Sequence, residues 1–505
     1  MPGPTAVWRL FIWIGASPGE TIMSMQGHLF GVVPFPAGGV IARAGGDFAS
    51  ELRTIEILEK EWRAHFAARM KQDATLTRQI VSFQANKEEP CYRWFKYKEG
   101  FSAQLAHRFL KPGAGPVLDP FAGSGTTLFA ASELGLPATG IELLPIGQRI
   151  IAARLLIERE FSENDISILN EWISHKSWEK ATCRLALPTL RITRGAYPEE
   201  NLAALERFRA CAASEAPNVR SILGFALLCV LELISYTRKD GQYLRWDHRS
   251  GRRHGEQTFN KGDIQSFAAA IVRKLREIID DWTILHHGGL LEHARKNAPI
   301  TVLAGSCLDE LPKLPSGTFG TVVTSPPYCN RYDYTRTYAL ELAMLGVDEK
   351  ALCQLRQTML SCTVENRPKD LQAANPAWKK AVAAADDQDL LQHILQYLEK
   401  QKKAGLLNNQ GIPRMVRGYF YEMACVLQEL RRVVTTNATV VFVNDNVRYS
   451  GAVIPVDLIL CAMAEDLGLS VQEILVLPTA KGNSSQQMGA HGREPLRKCA
   501  YVWKG

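Results

Sequence analysis

Between Gly115 and Gly135 the chain reads GPVLDPFAGSGTTLFAASELG. An apolar run ends at an acid, glycines 123 and 125 flank a serine, and an unbroken helix-compatible stretch runs on to the next glycine. This is a strand, a glycine turn and a helix opened by Thr126 and Thr127, with Gly135 as the C-cap. A second short strand follows in ATGIEL, Ala138 to Leu143. Successive strands joined through a helix pair in parallel, so this order opens a doubly wound α/β sheet. Such a turn sits at the carboxyl edge of the sheet, where glycines let a ligand approach the backbone.

Three ligands compete for that turn. A nucleoside triphosphate calls for a lysine at the helix start, and GSGTT has none. A dinucleotide calls for a third glycine, which is also missing. S-adenosylmethionine requires an acceptor for its ribose at the end of the second strand. Glu142 stands 17 residues after Gly125, close to the offset of about 20 expected of a ribose-binding acid.

The rest of the chain continues the pattern with two interruptions. Residues 1–80 read as an arm rich in Gly, Pro and Ala followed by a helix, in which Leu58, Trp62, Phe66 and Met70 recur every fourth residue. Residues 81–150 carry the glycine turn, and 151–297 look like an inserted helical region around a basic loop. The sheet resumes over 298–347 with TVLAGSCLDEL and GTVVTSPPY, pauses for a second helical insertion over 348–414, and closes over 415–505. Seven strands are expected.

Two motifs carry a resemblance. DPFAGSGTT, Asp119 to Thr127, resembles the cofactor motif of the DNA amino-methyltransferases, and TSPPY, Thr324 to Tyr328, resembles their catalytic motif. It covers the sheet-forming segments, about half the chain. The resemblance implies a Rossmann-like, mostly parallel seven-stranded methyltransferase sheet with helical insertions, and S-adenosylmethionine as cofactor. It further implies that Asp119, Phe121, Gly123, Gly125 and Thr126 line the cofactor and that Glu142 takes the ribose hydroxyls. YRWFKYKEGFSAQL is similar to the family's segment over the methionine end, which nominates Phe101 and Ser102. Core packing and helix capping are the alternative for both. Where the family often has an acid near the adenine, this chain reads Gly305, Ser306, Cys307.

The corner Ser325-Pro326-Pro327-Tyr328 suits an exocyclic base amine. The amine's lone pair is delocalised into the ring, so acceptors must draw on its hydrogens. Proline lacks an N–H and fixes φ, so two in a row hold a carbonyl in a rigid bend. The Pro326 carbonyl and Ser325 hydroxyl can accept both hydrogens while Tyr328 offers a stacking ring. Serine at the first position resembles the N4-cytosine enzymes, with N6 of adenine the alternative. A turn that merely ends a strand is the plain structural reading.

A target base inside double-stranded DNA has to be flipped out. The stretch Thr237 to Gly255 carries Arg238, Lys239, Arg245, Arg249, Arg252 and Arg253, interleaved with Tyr243 and Trp246. It suits phosphate contact, or is simply a solvated loop. Arg331, Tyr332 and Arg336 are expected at the pocket mouth. Lys and Arg outnumber Asp and Glu 59 to 52, which fits a polyanionic partner without demanding one. An RNA base-amine methyltransferase and a non-catalytic nucleic-acid binder are the rival readings. A cognate restriction nuclease is a possible partner.

Eleven cysteines without a Cys-x-x-Cys pair argue for a reducing compartment and against a structural zinc site. His286 and His287 are adjacent, poor ligand spacing, so no metal is expected. Arg9 interrupts the N-terminal apolar run, which argues against export. No membrane span is expected, and the expected location is cytoplasmic.

Overall fold

Val322 and Val323, neighbours in one strand, belong to different hydrophobic cores. The same alternation holds further on, with Val440 and Phe442 in one core and Val441 and Val443 in the other. Side chains alternate across a strand, so continuous β-branched runs of this kind fit only a sheet covered on both faces. The computed structural model describes residues 47–240, 243–252, 258–287, 298–478 and 496–505. The arm expected over residues 1–45 lies outside them.

Among the described residues the strands are β1 (Met70–Gln72), β2 (Val117–Asp119), β3 (Ala138–Glu142), β4 (Thr237–Asp240), β5 (Tyr243–Trp246), β6 (Ile300–Ala304), β7 (Phe319–Thr324), β8 (Val434–Asp445), β9 (Val447–Tyr449), β10 (Ala452–Ile454), β11 (Ser470–Val476) and β12 (Lys498–Lys504). Eight of them form one sheet in the order β1-β11-β12-β8-β7-β2-β3-β6, with two-stranded hairpins β4-β5 and β9-β10 beside it. Only β12 runs antiparallel to its neighbours in the large sheet. The fold is α/β, a Rossmann-like and mostly parallel sheet with one strand more than the seven expected.

The extra strand, β1, pairs in parallel with β11 at the sheet edge. It also revises the N-terminal helix, which spans Asp47–His65. Phe66 is fully buried and Leu58 and Trp62 pack on the main core as expected, but Met70 opens β1 instead of extending the helix.

From β2 the chain steps outward through β3 to β6, then returns to the opposite side of β2 to place β7 and β8. The carboxyl ends of β2 and β7 therefore flank the topological switch point, where open α/β sheets bind ligands.

The first insertion contributes a third core. The 18-residue helix Pro217–Ile234 is long and apolar enough to cross a membrane by composition, yet it is the centre of that core, with Ile222, Leu223, Phe225, Val230 and Leu231 fully buried. Helices Glu163–His175, Glu199–Ala212 and Phe267–His287 surround it. The same core takes in Trp94 and Phe95 from before the glycine turn and Tyr332, Tyr338 and Met359 from after β7. The second insertion packs into the main core through Trp378, Leu391 and Leu398, against the long helix Ile412–Val433.

Candidate active site

Strand β2 pairs with β7, Leu118 opposite Val322, which sets the glycine turn beside the Ser-Pro-Pro corner. Two side chains stitch the ends together. Thr324 Oγ1 donates to Asp119 Oδ1 at 2.6 Å, and Thr127 Oγ1 donates to the Val323 carbonyl at 2.9 Å. The Phe121 N–H also reaches Asp119 Oδ1 at 3.1 Å. Burial nevertheless pushes the Asp119 carboxyl up to about 6, because desolvation outweighs the donors.

The turn is built around Gly123, whose φ of 55° is left-handed and whose Cβ, if present, would meet the Tyr97 ring at 3.1 Å. Its N–H donates to Glu142 Oε2 at 2.6 Å, while the Leu144 N–H donates to Oε1 at 2.7 Å. Burial pushes the Glu142 carboxyl up to about 8 against these two bonds. The carboxylate at the end of β3 is thus fixed in place from both sides.

One cavity joins these parts. Of the expected cofactor residues, Asp119, Phe121, Gly123, Thr126, Glu142 and Phe101 line it, and Ser325 and Pro327 line it from the catalytic corner. Ser102 does not: fully buried, it caps helix Ala103–Phe109 by accepting from the Leu105 N–H and donates to the Ile80 carbonyl. Gly125 starts helix Thr126–Glu133 with φ 80°. Gly305, Ser306 and Cys307 line the cavity where an acid was sought. Tyr97, Glu99, Tyr334 and Met359 also line it, and none of these was singled out from the sequence. Tyr97 and Glu99 lie just ahead of Phe101, and Tyr334 lies between Tyr332 and Arg336 in the run expected at the pocket mouth; Met359 carried no signal.

In the catalytic corner, Ser325 Oγ donates to the Val443 carbonyl at 3.1 Å and lies 3.3 Å from the Tyr328 hydroxyl. Tyr328 is 2% exposed and stands behind the serine instead of lining the cavity. Burial pushes its phenol up to about 12, and the Lys498 ammonium sits 5.2 Å from its ring centroid. A stacking role for this ring would require it to be uncovered. Among the described residues no backbone donor reaches the Pro326 carbonyl.

Similarity to known proteins matches this geometry. Over 459 residues, 90% of this chain and 95% of the relative, the sequence is 51% identical to "Type II methyltransferase M.AvaI" of Nostoc sp. strain PCC 7120, and equally to the protein of that name from Anabaena variabilis. The chain belongs to the type II DNA methyltransferases. It is 37% identical over 484 residues, 90% of this chain and 93% of the relative, to "Type II methyltransferase M.BsoBI" of Geobacillus stearothermophilus. No family model matches the chain, and no solved structure does. The protein is thus a site-specific DNA methyltransferase of the restriction–modification class.

The methyltransferase's expected DNA contacts divide sharply. Lys239 is a correction: it is 5% exposed, its ammonium 2.6 Å from Glu341 Oε1 and stacked against Phe95 and Tyr338 at 4.7 and 4.9 Å. A cation so buried and paired cannot reach a phosphate. Tyr332 is a second correction, 3% exposed and packed on Tyr334 rather than standing at a pocket mouth. Arg252 is tied to the carbonyls of Arg191, Ile192 and Arg194 and lies over the Trp246 ring, so it locks the β4-β5 hairpin down. Arg238, Arg245 and Arg249 keep surface positions on or beside that hairpin, with Arg249 holding Asp247 and the other two against Phe259. Arg336 pairs with Asp333 and Glu365, and Arg331 donates to Asn408. Arg253 lies outside the described residues.

Proposed function

We propose that this enzyme transfers a methyl group from S-adenosylmethionine to N4 of a cytosine flipped out of duplex DNA. The observation that carries this reading is the commitment of Ser325. Its hydroxyl has the Val443 carbonyl at 3.1 Å and the Tyr328 hydroxyl at 3.3 Å to donate to, and whichever takes the hydrogen, a lone pair is left to accept from a base amine inside the cavity that Gly123 and Glu142 share. The Pro326 carbonyl is the second acceptor. Together they draw on both amine hydrogens and favour the tetrahedral nitrogen needed for attack, so positioning carries most of the catalysis.

The cofactor's fit rests on the same cavity. Glu142 stands at its wall with its carboxylate fixed by two backbone N–H groups, ready to accept ribose hydroxyls, and the half-buried Phe121 gives an apolar wall beside the turn. Bound S-adenosylmethionine would supply the electrophilic methyl group. The surface arginines 238, 245 and 249 support contact with DNA phosphates, and a cognate nuclease sparing the methylated site is the implied partner.

The deciding experiment expresses the chain in a host lacking base methylation, digests the DNA to nucleosides and examines them by mass spectrometry. N4-methylcytosine is expected. N6-methyladenine would move the target to adenine, and neither would reject the reading.

A pH effect follows from Glu142. Hydroxyl donors favour its ionised form, and burial holds the carboxyl up at about 8. Binding of adenosine, which does not titrate in this window, is expected to tighten as pH rises from 6 toward 9, and to lose that slope in Glu142→Gln. Isothermal titration calorimetry with adenosine tests it, and a flat profile for the unaltered enzyme removes Glu142 from the ribose site.

A further inference from the structure

Glu99 belongs neither to the cofactor reading nor to Ser-Pro-Pro-Tyr, yet it lines the cavity together with Ser325 and Pro327. Its backbone is left-handed, φ 60°. Among the described residues, it alone of the non-glycine positions with positive φ lines this cavity. Glycine would be the unstrained choice there. The chain instead places a carboxyl, and conformations of that kind persist where a ligand clamp requires them.

No hydrogen bond or ion pair among the described residues engages that carboxyl. The charged and titratable groups facing it are Lys98 on its own segment, Lys498 on β12, Asp445 on β8, and Tyr328, Tyr332 and Tyr334 after β7. The Lys498 ammonium is already paired with Asp445 at 3.1 Å, so its charge is balanced. Desolvation, the largest influence on Glu99, raises it above the usual carboxylate range.

In its protonated form this carboxyl would supply what Ser325 and Pro326 lack. They are acceptors for an amine, but the ring nitrogen beside an amine-bearing carbon is itself an acceptor and needs a donor. We propose that Glu99 is a base-reading residue whose carboxyl O–H donates to that ring nitrogen, N3 when the base is cytosine. This rests on the base-amine reading of the cavity. Thymine carries an N–H at the same ring position and a carbonyl in place of the amine, so the pair of Glu99 donor and Ser325 acceptor rejects it.

The test compares Glu99→Gln, which keeps a donor and cannot ionise, with Glu99→Ala, which removes it. Methyl transfer from radiolabelled S-adenosylmethionine to unmethylated genomic DNA is followed from pH 6 to 9, alongside S-adenosylhomocysteine affinity and Tm. Glu99→Ala is expected to lower kcat/KM about 10- to 100-fold with cofactor-product affinity and Tm unchanged. Activity of the unaltered enzyme is expected to fall as rising pH ionises Glu99 and removes the donor, and Glu99→Gln is expected to stay within about threefold of it at pH 7 and to show no such fall. Loss in Glu99→Gln equal to that in Glu99→Ala, or full activity in Glu99→Ala, overturns the assignment. Ser325→Ala in the same assay separates the two levels: if it stays fully active, the base-amine reading itself fails, and if it alone is impaired, only Glu99's role does.

Discussion

Ser325→Ala is expected to lower methyl transfer about 100-fold while leaving affinity for S-adenosylhomocysteine within about twofold, the pattern of a group that acts on the reacting atom. The structural cost is small. The serine is half-buried and gives up one bond to the Val443 carbonyl, on the order of 1 kcal/mol of stability. Tyr328 also loses a neighbour at 3.3 Å, but its ring stays packed with 2% exposure. Single-turnover rates and calorimetry with the cofactor product make the comparison. Equal losses in rate and affinity would mean that the serine merely shapes the cavity.

Gly147→Ala is expected to weaken the same affinity at least tenfold. Gly147 lies in the first turn of helix Pro145–Arg159, where alanine ordinarily stabilises a helix by up to about 1 kcal/mol relative to glycine. Here its Cβ would stand 2.5 Å from the Gly123 carbonyl oxygen and 2.7 Å from Glu142 Cδ. Backbone and carboxylate must both retreat, and the bond between the Gly123 N–H and Glu142 is what shapes the turn. Overpacking of this kind typically costs about 1–3 kcal/mol. The sign therefore discriminates: a higher Tm with unchanged affinity would show that the close approach of helix and turn has no part in binding.

Gly147 also illustrates where sequence reading stops. It carries no local mark, since its importance comes from a helix passing over a turn more than twenty residues earlier. Strands were legible wherever burial on both faces forces continuous β-branched runs, as in β7 and β8. β1 was not, because three residues reading Met-Lys-Gln become a strand only by pairing with β11 at the far end of the chain. The cofactor turn was readable because its strand, glycines and helix start are consecutive. Lys239 misled because its partner, Glu341, is 102 residues away, and a lysine between an arginine and an aspartate looks solvated until that partner is seen. Ser102 had been assigned two roles, and the capping one is what its hydroxyl performs.

The third hydrophobic core has a practical corollary for engineering. Since Trp94, Phe95, Tyr332, Tyr338 and Met359 interlock with the helices of the first insertion, grafting that insertion alone from a relative would bring mismatched halves of one interior together. A chimaera exchanging this insertion would have to transplant three stretches at once, and two of them border the cavity shared by the glycine turn and the Ser-Pro-Pro corner.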